Sequence, residues 1–219
     1  MPSQTVENYL KALLNLANDK GEVNISDLSN SLNVSTPTAN SMVKKLRDKG
    51  FINYEKYKPL LVTNKGRKEA AIIVRRHRLT EMYLVSKMGF GWEEVHEIAE
   101  QIEHLKSQKF FDRMDELLGF PALDPHGSPI PDKEGNMVLP EYSKLSNIEQ
   151  GVSVRLCALN NSSNNFLNYL NSKKIELGTI ISVINIEPFD SSMTVKLNNK
   201  TETMLSHEVC ERLLVELAK

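Results

Sequence analysis

Residues 26–50 read SDLSNSLNVSTPTANSMVKKLRDKG, and residues 51–66 continue FINYEKYKPLLVTNKG. In the first stretch Leu28 and Leu32 stand four apart, which predicts a short helix with Ser26 as its cap. After Val34 and Ser35, Thr36 caps a further helix. Pro37 falls in its first turn, where a missing N–H costs little, and Gly50 stops it. FINYEK and LLVTNKG then read as two short strands around Tyr57, Lys58 and Pro59. Upstream, residues 4–18 place Val6, Leu10, Leu13, Leu14 and Ala17 at helical spacing. Three helices followed by a two-stranded wing are the layout of a winged helix-turn-helix.

Downstream, residues 66–88 predict one long helix, broken by Gly89-Phe90-Gly91, and Trp92 to Leu118 supply one or two more. Residues 120–141 carry Pro121, Pro125, Pro129, Pro131 and Pro140 with Gly127 and Gly135, the composition of a loop or linker. From about Lys144 the texture becomes β-type, in SVRLCAL, TIISVINIE and MTVKLNN. One helix, FLNYLNSKKIELG, lies between the first two and ends near Lys173 or Lys174. Short strands around one helix suggest a small β-barrel. The expected fold class is mainly α with β. It has a winged helix-turn-helix over 1–65, a helical domain over 66–120, a Pro/Gly-rich linker over 121–143 and a small barrel over 144–219.

Composition narrows the function. The 219 residues are 25% charged and 40% hydrophobic, which excludes wholesale disorder, and no apolar run approaches the ~18 residues of a membrane helix. MPSQTVENYL lacks the basic-then-apolar layout of a secretion signal. Two cysteines, Cys157 and Cys210, with no Cys-x-x-Cys pair, exclude a thiolate zinc finger and fit a reducing cytoplasm. The net charge of -1 hides an asymmetry. Met1 to Arg78 hold 14 lysines and arginines against 7 acids, the remainder 13 against 21. A basic first third points to nucleic acid.

On the third helix Ala39, Met42, Val43 and Leu46 form the inward face, leaving Pro37, Ser41 and Lys44 outward with Thr38, Asn40 and Lys45 on the flanks. Pro37 and Thr38 suit thymine methyls, and Asn40 or Ser41 suits base edges in the major groove. Lys44, Lys45, Arg47, Lys56 and Lys58 are expected at phosphates.

In EEVHEIAEQIEHLK, a continuous helix would place Val95, Ile98, Ala99, Ile102 and Leu105 on one face. His96, Glu100, Glu103 and His104 would share another. His77 and Glu81 stand i, i+4 on the preceding helix. Imidazole nitrogen and carboxylate oxygen are donors for divalent first-row ions. The spacing is not that of a His-Glu-x-x-His protease. His126 and His207 stand alone and read as surface residues.

The motifs RRHRLTEMYL, VHEIAEQIEH and YEKYKPLLVTNKG resemble the metal-dependent repressors of the diphtheria-toxin-repressor and manganese-transport-regulator type. The resemblance spans essentially the whole chain and makes the C-terminal barrel FeoA-like and SH3-type. It implies a primary metal site at Asn8, Glu100, Glu103 and His104 and a second at His77, Glu81 and His96. Two sites per subunit would hold Mn²⁺ by preference, with Fe²⁺ close behind. Lys11 stands where the manganese branch has a carboxylate. The stretch Asn161–Asn165, matching barrel ligands of iron-type members, contains no carboxylate. The resemblance also implies base contacts at Ser35, Pro37, Thr38 and Ser41, a homodimer built on the middle helices, and a double-stranded, palindromic operator. The expected protein is a cytoplasmic repressor of metal-uptake genes and not an enzyme. Two other readings of the same residues are a metal-independent winged-helix regulator and a metal-dependent hydrolase fused to a DNA-binding domain.

Overall fold

The computed structural model describes every residue except Met1, Tyr57, Leu139, Asn161 and Lys219. Of the sequence expectations, the wing residue Tyr57 and the barrel-loop residue Asn161 therefore lie outside the described residues. The chain forms two compact units. One comprises the segment through Thr80 with Glu97–Ala122 and Ile130–Val138, the other Glu81–His96, Leu123–Pro129 and the segment after position 139.

The first unit opens with α1 (Gln4–Leu16), β1 (Glu22–Val23), α2 (Ile25–Ser31), α3 (Thr36–Asp48), β2 (Ile52–Asn53) and β3 (Leu60–Val62). The apolar spacing of α1 to α3 converges on one core, in which Leu10, Leu13, Leu28, Val43 and Leu46 are fully buried. Three antiparallel strands in the order β1-β3-β2 form the wing, with Glu22 opposite Leu61 and Ile52 opposite Val62. Strand β1 was missed because two residues carry no period. Both predicted caps move upstream. Asn24 precedes α2 in extended conformation, and Ser35 caps α3 by accepting a hydrogen bond from the Thr38 N–H at 3.3 Å. Ser, Thr and Asn all cap well, so composition alone does not choose between neighbours. Gly50 ends the recognition helix in the left-handed region at φ +73°.

Helix α4 (Asn64–Met88) is one unbroken helix of 25 residues, and Thr63 caps it by accepting the Gly66 N–H at 3.0 Å. The next segment yields two helices, α5 (His96–Ile102) and α6 (Gln108–Leu118). Because α5 stops at Ile102, residues 103–105 leave the expected pitch. Glu103 is fully buried, whereas Leu105, expected on the apolar face, is 48% exposed. Within this unit Arg75 of α4 donates to Asp115 of α6 at 2.6 Å and to the Pro131 carbonyl at 2.7 Å.

The second unit holds β4 (Ser143–Lys144), β5 (Ser153–Leu159), α7 (Asn164–Ser172), β6 (Ile180–Ile186), β7 (Met193–Leu197), β8 (Thr201–Leu205), α8 (His207–Arg212) and β9 (Leu213–Leu217). The strands form one antiparallel sheet in the order β4-β9-β5-β6-β7-β8, with register shifts near Ala158 and Asn185 that bend it. Its concave side closes over Leu145, Leu156, Leu167, Leu170, Ile181 and Val195. This is the expected barrel-like domain. Its edge strands β4 and β8 are not paired with each other among the described residues.

Removing one partner of a buried ion pair leaves the other charge uncompensated. Asp115→Ala is accordingly expected to lower unfolding stability by about 3–5 kcal/mol in urea titration.

Candidate metal centre and nucleic-acid interface

The burial of Glu103 organises the first site. A fully buried carboxylate is costly unless it is paired and hydrogen-bonded. Its two oxygens receive the Lys11 ammonium of α1 at 2.9 and 2.8 Å, and Oε2 lies 2.5 Å from His77 Nδ1 of α4. Lys11 also reaches Glu100 Oε2 at 2.5 Å. His104, just after α5, places Nδ1 2.6 Å from Glu7 Oε2 on α1. An ionised Glu7 only accepts, so Nδ1 carries the proton, and in the neutral imidazole Nε2 then keeps its lone pair. That Nε2 is buried, has no hydrogen-bond partner, and lies 3.7 Å from Glu103 Oε1. Asn8 likewise keeps a buried Oδ1 without a hydrogen-bond partner.

Two orphaned acceptors beside a buried carboxylate form a donor set that fits a cation. A carboxylate–imidazole pair with the far nitrogen unprotonated is the usual outer support of a metal ligand. The donor set is oxygen and imidazole nitrogen, which suits a divalent first-row ion. Of the predicted residues, Glu100 and Glu103 share the Lys11 ammonium, and His104 lies beside Glu103. Glu7 was missed: it reads as an ordinary first-turn acid, and no i, i+4 partner marks it.

The second unit holds another group. Glu81 of α4 faces His96 Nδ1 at 3.3 Å through Oε1 and His126 Nδ1 at 3.8 Å through Oε2. Asp124, His126 and Glu81 are all buried, and ligand atoms of the three lie within 4.8 Å of one another. His126 Nε2 is 2.9 Å from the Trp92 carbonyl, which only accepts, so Nε2 donates and Nδ1 turns toward Glu81. Sequence reading placed His126 at the surface, and the structure corrects this. A turn in which Asp124 Oδ1 accepts the N–H groups of His126 and Ser128 folds the imidazole inward. Gly127 makes that turn possible at φ +84°, where a Cβ would stand 2.2 Å from the Cys157 carbonyl oxygen. His207 is half exposed, as expected. His77, one helical turn before Glu81, directs Nδ1 to Glu103 in the first unit.

Neither thiol belongs to these groups among the described residues. Burial pushes Cys210 up to about 11, and burial also raises Cys157. Thiolate ligation is therefore disfavoured at both.

On α3, Ser35, Pro37, Thr38, Ser41, Lys44, Lys45 and Arg47 are exposed and Asn40 is half-buried. Ala39, Val43 and Leu46 face the core. An open cleft of about 770 Å³ is lined by Asn40, Lys44 and Arg47 of α3 with Lys56 and Lys58 of the wing. Arg47 pairs with Asp48 at 2.8 Å and Lys58 with Glu55 at 2.5 Å, so part of that charge is already neutralised.

A winged helix with an exposed recognition helix, joined to buried carboxylate–imidazole groups, defines a metal-dependent DNA-binding repressor. Comparisons with known proteins agree. Family models match the iron-dependent repressor N-terminal DNA-binding domain over residues 1–60, the iron-dependent repressor metal-binding and dimerisation domain over 63–132 and the FeoA domain over 143–217. The transcriptional regulator MntR of Geobacillus kaustophilus is 34% identical over 120 residues, 55% of this chain and 84% of that protein. The iron-dependent repressor IdeR of Mycobacterium leprae is 33% identical over 127 residues, 58% of this chain and 55% of that one. A solved manganese-dependent transcriptional repressor in complex with manganese superposes with a TM-score of 0.88 at 29% identity. That match covers 97% of this chain and 100% of the other. The chain belongs to the iron-dependent repressor family.

Glu7 fixes the tautomer and orientation of His104. Glu7→Ala is expected to weaken divalent-metal binding at this site by about 10–100-fold in calorimetric titration, with the fold retained by circular dichroism.

Proposed function

We propose that the protein is a manganese-responsive repressor of metal-uptake genes, with Fe²⁺ as the second ion it accepts. Asn8, Glu100, Glu103 and His104 hold one ion. Glu81 and His96 hold another with His126 and Asp124, and His77 stands one turn from Glu81 on the same helix. The observation that carries this reading is the pair of buried, unpartnered acceptors, Asn8 Oδ1 on α1 and His104 Nε2 beside α5. An oxygen-rich site without thiolate favours Mn²⁺ and Fe²⁺ over softer ions.

A bound ion supplies positive charge shared between α1 and the segment after α5. The chain's residues do the rest. Asn8 and Lys11 tie α1, the first helix of the winged module, to Glu100, Glu103 and His104. Ser35, Pro37, Thr38, Asn40 and Ser41 read base edges, and Lys44, Lys45, Arg47, Lys56 and Lys58 meet phosphates. Leu105, Phe110, Leu117 and Phe120 stay exposed in the single chain and supply the apolar face of a homodimer on a palindromic operator. The protein works in the cytoplasm and catalyses no reaction. Among the described residues no helix is long and apolar enough to cross a membrane.

Metal and DNA that favour the same arrangement raise affinity for each other reciprocally. Binding to a duplex selected from random DNA in the presence of Mn²⁺ is expected to weaken about a hundredfold with EDTA and to return with excess Mn²⁺. Affinity indifferent to chelator contradicts the proposal.

A further inference from the structure

Two donor groups adjoin at the Glu100–Glu103 pair, and the chain supplies the cation of one of them itself. His77, Glu100 and Glu103 each bring a ligand atom within 4.8 Å of the others, the spacing of a cation position. The Lys11 ammonium already sits on that group, 2.5 Å from Glu100 Oε2 and 2.8 Å from Glu103 Oε2. Its side chain is 14% exposed and Glu103 is fully buried, so this is no solvated surface pair. The orphaned acceptors, Asn8 Oδ1 and His104 Nε2, are not engaged by Lys11. Charge points the same way. Glu7, Glu100 and Glu103 carry three negative charges and Lys11 one positive. With neutral imidazoles, a single divalent ion balances the remainder.

We infer that Lys11 is a tethered cation occupying the His77–Glu100–Glu103 position, so that the α1–α5 site takes up one exchangeable metal ion rather than two. The inference rests on the reading that Asn8, Glu100, Glu103 and His104 hold that one ion, Glu100 and Glu103 sharing their oxygens with Lys11. It has a second consequence. The ammonium belongs to α1 and its acceptors to α5 and the residue after it, so the winged module stays partly fastened without metal. Metal then strengthens an existing link instead of creating it.

The test counts Mn²⁺ per full-length chain by equilibrium dialysis with elemental analysis. Lys11→Glu is expected to bind one ion more than the parent. An unchanged count overturns the inference. Crowding another carboxylate beside Glu103 could unfold the metal-free chain, so Lys11→Met provides an independent arm. Without metal, this variant is expected to melt lower and bind DNA roughly tenfold more weakly than the parent. Its melting temperature should rise more on adding Mn²⁺. Equal metal-induced shifts in the two proteins overturn the inference. His104→Ala separates the underlying reading: loss of one ion per chain upholds the site, and an undiminished count removes it whatever the Lys11 variants show.

Discussion

A carboxylate with no access to water has to be surrounded by positive charge and donors, and Glu103 is such a group. Lys11 comes to it from α1 and His77 from α4. Its place just beyond the end of α5 lets it turn inward where a continuing helix would have directed Leu105. The helices of the first unit therefore meet on one electrostatic demand. The apolar core of α1, α2 and α3 makes the reading head rigid, and the Glu103 cluster determines what that head is fastened to.

A fastening of this kind is suited to regulation because it is incomplete. The imidazole of His104 is oriented by Glu7, its buried far nitrogen has no hydrogen-bond partner, and the buried Asn8 carbonyl oxygen has none either. Buried acceptors left unpaired cost on the order of 1–3 kcal/mol each. A cation that satisfies both recovers that cost, and the recovery is available only in the arrangement that brings them together. In the proposed reading, selectivity for a divalent ion follows from the donor types, and communication with DNA from the location of Asn8 and Lys11 on a helix of the winged module.

The fold was legible where periodicity is strong. The spacing of Leu10 and Leu13, the capped run from Thr36, the unbroken stretch of α4 and the β-runs beginning with SVRLCAL all stand where the sequence puts them. Strands β1, β4, β8 and β9 and helix α8 carried too little pattern to be read. Of the candidate metal-binding residues, Glu103 and His104 lie past the end of α5 and off its pitch, but His77 and Glu81 on α4 and His96 and Glu100 on α5 were legible by helical spacing. Glu7, Asp124 and His126 were not. Glu7 acts through His104, and Asp124 with His126 depends on a tight turn whose inward direction is set by Gly127 packing on the Cys157 carbonyl. Two residues apart in a Pro/Gly-rich segment, they gave no helical signal at all. The place of Lys11 also depends on three-dimensional proximity, since its partners stand 89 and 92 residues away.

The most direct test is the position of the ion itself. Crystals grown with Mn²⁺ and measured at its absorption edge are expected to give an anomalous peak at bonding distance from Asn8 Oδ1, a Glu103 oxygen and His104 Nε2. Lys11 should remain on Glu100 and Glu103. A fully loaded protein with no peak there, or with those side chains turned apart, contradicts the account.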